Sequence, residues 1–199
     1  MLAFKNIERT TPAFRAELLA IGDRLGTDGN FLAAVMACES GFRAEATNPT
    51  GGATGLIQFM PSTARHLGTT TDALRGMTAE EQLPFVEAYY RPFTGAIRSA
   101  TDAYMATFLP KYVGQPGDTV LATDPEIIYV QNKGFDHTGK GFITVNDVGQ
   151  NAENAMAFAR TRPETDDTVS NDLWWEDVGV VLPLTVIGVF AIRAMKVVT

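Results

Sequence analysis

Apolar residues recur along the first half of the chain at the three- and four-residue spacing of helix faces. Phe14, Leu18, Ile21 and Leu25 share one face of a segment that Thr11 can N-cap, with Pro12 at its first helical position. This predicts an amphipathic helix from about Thr11 to Leu25, broken by the polar, glycine-containing stretch from Gly26 to Asn30. Phe31, Leu32, Val35, Met36 and Cys38 then give a second apolar surface, which predicts a buried helix. Glu39 continues that surface at the C-terminal end of the helix. From Arg43 to Thr54 the chain contains Asn48-Pro49 and Gly51-Gly52 and reads as a loop that suits close backbone approach. A further helix start carries Gln58 and continues through Ser62-Thr63-Ala64 toward Leu67. Two more starts follow, at Thr71 and at Thr78, and Thr78 to Glu81 has the form of a capping box. Phe85, Ala88, Tyr89, Phe93 and Ile97 predict one helix interrupted by Pro92. Together these segments predict an all-α domain.

The pattern changes near the C-terminus. Pro163 to Asp177 holds six acids and no base, which marks an acidic linker over residues 161–177. Val178 to Ile192 is an uncharged apolar run, shorter than the ~20 residues of a typical membrane span. Trp174 and Trp175 on one side, with Arg193 and Lys196 on the other, extend it as interface anchors. Pro183 and Gly188 are tolerated in membrane helices. A core helix or a β segment is the alternative, but the missing polar face favours a C-terminal transmembrane helix over residues 178–199. Arg193 and Lys196 would place the C-terminus in the cytoplasm and residues 1–160 outside. The N-terminal MLAFKNIERT lacks the apolar core of a signal peptide. If the target of this protein lies outside the cytoplasm, another route must deliver it, and a virion, a holin or the C-terminal segment itself could do so.

Composition narrows the partners. The 199 residues are 45% hydrophobic and 20% charged, as in an ordinary globular protein, and the formal net charge of -7 argues against nucleic acid. The single cysteine, Cys38, excludes an internal disulfide framework. Its place beside Glu39 makes a nucleophile conceivable. Neither His66 nor His137 completes a Cys-His motif, however, and Cys38 reads as a small buried hydrophobe.

The chemistry centres on Glu39. Apolar surroundings disfavour the charged carboxylate and raise its pKa, which is how a general acid stays protonated near neutral pH. A glutamate that caps or pairs at a helix end fits the same spacing. Gln58 lies between Ile57 and Phe59, and its amide can both donate to and accept from a ligand or satisfy loop backbone. Ser40 can orient Glu39, meet a polar group of a ligand, or cap the helix. Tyr89 and Tyr90 can face a ligand, although at least one is expected to pack.

Glu39-Ser40-Gly41-Phe42, followed after a glycine-rich loop by Gly55-Leu56-Ile57-Gln58-Phe59-Met60-Pro61, resembles the goose-type/SLT lytic transglycosylase family in the version carried by many phages. The resemblance runs to about Val148. It implies a lysozyme-like fold with a groove between helical lobes, peptidoglycan glycan strands as partner, and no cofactor. It also implies Glu39 as catalytic acid, with Ser40, Thr54, Gln58 and Tyr104 lining the site. Asp102 to Ala106 with Pro110 to Gly114 resembles the phage branch, but Met105 stands where many members place an Asn. A glycosidase usually needs two carboxylates. Here Glu39 is the strong candidate, Glu45 lies in the loop after it but off the motif, and Asp102 is a remote one. The family scheme needs one acid, because the muramic C6 hydroxyl supplies the nucleophile and the product is a 1,6-anhydro sugar. A muramidase using Glu45 or Asp102 to activate water is the enzymatic alternative. A non-enzymatic virion or membrane structural protein that binds glycan is the other.

Residues 136–147 outline an EF-hand loop, with Asp136 at position one, Gly141 at six and Asp147 at twelve. Thr138 stands at position three and Lys140 at five, where an ammonium opposes a dication. The expectation is a degenerate loop in which Asp136, Thr138 and Asp147 hold calcium weakly or not at all.

Overall fold

A computed structural model describes residues 1–162. Within them the chain is mostly helical: α1 (Pro12–Leu25), α2 (Gly29–Glu39), α3 (Pro61–His66), α4 (Thr71–Arg75), α5 (Ala79–Tyr90), α6 (Ala100–Phe108), α7 (Ile127–Gln131) and α8 (Val145–Thr161). The expected all-α architecture needs one correction. Strands β1 (Val120–Thr123) and β2 (Phe142–Thr144) pair antiparallel, with Ala122 opposite Ile143 and Thr123 opposite Phe142. Four and three residues are too few to display a period-two pattern. Leu121, Ala122 and Ile143 are nevertheless buried beneath the pair.

Local signals set α1 and α5 as expected. The Thr11 side chain accepts the Phe14 amide, and Phe14, Leu18, Ile21 and Leu25 are all buried. Thr78 and Glu81 complete a reciprocal capping box at the start of α5. That helix ends at Tyr90 and does not continue to Ile97. The chain makes one 3-10 turn over Arg91–Phe93, and Ile97 reaches the core from the following loop. Likewise α3 begins at Pro61, so Gln58 belongs to the turn before the helix.

The core is organised around α2, which packs against α1, α6 and α8. Asp28 caps it by accepting the Asn30 amide at 2.8 Å. Leu32, Ala33, Ala34, Val35 and Met36 are each 0% exposed, so α2 is a central strut rather than an amphipathic surface helix. The helices cross closely because Gly29 has no side chain. A Cβ there would stand 2.6 Å from the Leu18 carbonyl oxygen.

No helix among the described residues is long and apolar enough to cross a membrane. The expected acidic linker, from Pro163 on, and the expected anchor over residues 178–199 lie outside the described residues.

Candidate active site

The central helix ends by delivering its last residue, Glu39, from the core to a partly accessible position. Burial pushes the Glu39 carboxyl up to about 7, and a hydrogen bond from the Tyr104 hydroxyl opposes the rise only in part. Tyr104, one turn into α6, is itself buried, and burial followed by the nearby Glu39 charge raises its hydroxyl far above the ordinary tyrosine value. Tyr89 and Tyr90 complete the surround. Their rings meet edge to face at 5.3 Å, and their hydroxyls donate to the Ala106 and Ala103 carbonyls at 3.0 and 3.1 Å. Each feels the Glu39 charge after the larger effect of burial. Cys38 is pushed up to about 12, by burial first and Glu39 second, so it stays a thiol and offers no nucleophile.

Beyond Glu39 the chain reverses sharply. Gly41 and Phe42 adopt φ of 57° and 61°, and the Phe42 ring turns back into the core against Phe4. A bulky residue in this region is uncommon and is held by its packing. The next stretch folds back on the residues that follow it. Thr54 pairs in antiparallel bridges with both Thr47 and Phe59, and the Gly55 amide donates to the Ala46 carbonyl at 2.9 Å.

This geometry separates the expected site residues. Glu39 and Tyr104 are in contact through their hydrogen bond. Ser40, Thr54 and Gln58 serve the scaffold. Ser40 is buried and its hydroxyl donates to the Leu56 carbonyl at 2.9 Å, with the Met36 carbonyl at 3.2 Å. Its hydroxyl thereby ties the end of α2 to the second motif. Thr54 is 0% exposed, and its hydroxyl points to the Gly52 carbonyl at 3.4 Å. Gln58, at φ 53°, donates from Nε2 to the Ala46 and Gly55 carbonyls at 3.2 and 3.1 Å. Of its two readings, satisfying loop backbone is the one the geometry displays.

Sequence reasoning missed Gln82. This fully buried side chain accepts the Leu56 amide and donates to the Ala44 and Leu74 carbonyls. The available signal was a lone amide among core positions of α5. The remote carboxylates divide clearly. Asp102 is buried and committed: one oxygen accepts the Arg98 amide and the other the Gly114 amide, both at 2.9 Å. Both its oxygens serve backbone, which leaves it poorly placed to activate water. Glu45 is exposed on the loop. His66 and His137 are exposed as well.

The 136–147 loop keeps the EF-hand outline but fills it with the chain's own donors. Both Asp147 oxygens contact the Lys140 ammonium, at 2.9 and 2.7 Å, and one also accepts the Thr144 amide and hydroxyl. Asp136 accepts the Lys140 and Gly141 amides and the Tyr129 hydroxyl. Burial raises the Asp136 carboxyl, but these donors outweigh it and hold the group at about 2. Thr138 is exposed. With an ammonium already on the position-twelve carboxylate, this residue set does not fit calcium.

A carboxyl raised to about 7, at the partly accessible end of a buried helix, can break a bond by protonating its leaving group. Residues 19–82, which contain Glu39, the reversing loop and Gln82, match the family model of the transglycosylase SLT domain. The match supports a relation to this family, whose members are lytic transglycosylases, lyases that act on peptidoglycan.

Proposed function

We propose that this protein is a lytic transglycosylase and that Glu39 is its single acid–base group. The observation that carries the proposal is its isolation: burial pushes its carboxyl up to about 7, so a substantial fraction stays protonated at neutral pH, while Asp102 is committed to backbone amides and Glu45 is an exposed loop residue. Glu39 gives its proton to the glycosidic oxygen between N-acetylmuramic acid and N-acetylglucosamine, and the bond from that oxygen to the muramic C1 breaks. The muramic C6 hydroxyl oxygen then bonds to C1, and its proton returns to Glu39. The product ends in 1,6-anhydromuramic acid, and the enzyme is restored. The attacking hydroxyl belongs to the reacting ring, so its effective concentration is high and no second carboxylate is required. Tyr104 holds the carboxyl in place through their hydrogen bond.

The test is digestion of purified sacculi followed by mass spectrometry. Each anhydro product is one water lighter than its hydrolysed counterpart, and Glu39→Gln should lower the rate at least ~100-fold with the fold intact. Predominantly reducing muramic ends that disappear in Glu45→Gln would make the protein a hydrolase. Binding without cleavage would make it a structural glycan binder.

We further assign the run over residues 178–199 as the anchor that holds this domain on the cell-wall side of a membrane, in a phage virion or at the bacterial inner membrane. Its apolar length and flanking aromatic and basic residues support this.

A further inference from the structure

Gln82 is buried completely, yet it is neither acid, base nor metal ligand. Its Oε1 accepts the Leu56 amide at 2.9 Å, and its Nε2 donates to the Ala44 carbonyl at 2.7 Å and the Leu74 carbonyl at 2.8 Å. These partners belong to three stretches of chain: the loop that leaves Glu39, the turn of the second motif, and the end of α4. The fit is close on the motif side as well. Gly55 sits at φ 87°, and a Cβ there would stand 2.5 Å from the Gln82 Oε1.

The contact continues to the reacting group. Leu56, whose amide Gln82 holds, accepts the Ser40 hydroxyl at its carbonyl, and Ser40 directly follows Glu39. Two hydrogen bonds and the backbone of Leu56 between them therefore link α5 to the end of α2. Gln58 laces the same two loops at Ala46 and Gly55. Only a side-chain amide offers one acceptor and two N–H donors together, so no other residue type completes this junction. A partly satisfied buried network is costly, which makes the junction all-or-none.

We propose that Gln82 is a positioning residue for the glycan-cleaving reaction: it locks the two loops that flank Glu39 into one register and keeps water from entering beside the carboxyl. The proposal rests on the reading of Glu39 as the acid. If it holds, loosening the junction changes the chemistry at Glu39 and not only the stability of the domain.

The experiment compares the full chain with Gln82→Glu, Gln82→Met and Gly55→Ala. It measures kcat and KM on a soluble glycan oligomer across pH, with melting followed by circular dichroism. Gln82→Glu keeps an acceptor for Leu56 and loses donors, Gln82→Met loses both, and Gly55→Ala pushes on the same contact from the loop side. The expected result, in variants folded at the assay temperature, is a kcat lowered at least about tenfold. KM should change less than about threefold. The alkaline limb of kcat/KM should move down from about 7 toward the ordinary glutamate range. Folded variants with the wild-type limb, or with kcat reduced only in proportion to the folded fraction, would overturn the proposal. If neither Gln82 variant folds, Gly55→Ala decides by the same two readouts. A wild-type profile with no limb near 7, together with an active Glu39→Gln, would instead overturn the acid assignment and this proposal with it.

Discussion

Replacing Glu39 by Gln should stabilise the protein, and the stabilisation should depend on pH in a specified way. The carboxyl is raised from 4.5 to about 7 in the folded state, chiefly by burial. A folded-state pKa above the unfolded value means that protonation favours the native state. That contribution is complete below about pH 4.5, is lost as pH rises toward 7, and is absent beyond. At ~1.36 kcal/mol per pKa unit, the ionised carboxylate costs the native state up to about 3 kcal/mol at pH 8. The side chain keeps some contact with solvent, so this is an upper bound. Glutamine has nearly the same shape, still accepts from the Tyr104 hydroxyl, and never ionises. The variant should therefore match the wild type near pH 4 and exceed it at pH 8. For a domain of this size each kcal/mol raises Tm by roughly 2–4 °C. Calorimetric melting at pH 4, 6 and 8 gives the comparison. A constant difference across pH, or a variant less stable at pH 8, would refute the claim that Glu39 is held neutral against its ordinary tendency.

Activity should be highest below about pH 7 and fall as pH rises through it, because the deprotonated acid has no proton to donate; a flat profile to pH 9 would contradict this. Tyr104→Phe removes the hydrogen bond that pulls the Glu39 carboxyl down, so it should displace that alkaline limit upward, opposite to the Gln82 variants. Lys140→Met should destabilise by about 1–2 kcal/mol at neutral pH. The Asp147 carboxyl is lowered, with burial opposed by Lys140 and Thr144, so this loss should fade as pH falls through the acid range where Asp147 protonates. Millimolar calcium should leave the wild-type melt unchanged, and a shift specific to calcium over magnesium would show that the 136–147 loop binds it. Removing residues 178–199 should leave a soluble, active enzyme; a soluble but unfolded product would place that run in the core.

What the sequence disclosed was what local rules govern. The Thr11 cap, the Thr78 capping box and the apolar face leading to Glu39 each depend on residues within one or two turns. The raised carboxyl followed from the same reasoning, since burial could be read from its neighbours. The roles of Ser40, Gln58 and Gln82 could not, because their partners lie 16, 12 and up to 38 residues away. Phe42 and Gln58 adopt left-handed backbone that no single-residue preference announces and that tertiary contacts impose. The assignment of Ser40, Thr54 and Gln58 to the sugar came from the family motif. In the structure their side chains also bond to the backbone of the loops beside Glu39.

The tip of the reversing loop has a different character from its base. Asn48 accepts the Thr50 and Gly51 amides at its side chain and the Gly52 amide at its carbonyl. Pro49, Thr50 and Gly51 face solvent. The base, from Ala46 to Gly55, is stitched to Gln58 and the core. The tip thus behaves as an exchangeable cassette on a fixed socket. Its length and sequence can drift, or be grafted, while Glu39 stays where it is. Changes at the tip therefore have a place to occur that leaves the reacting carboxyl undisturbed.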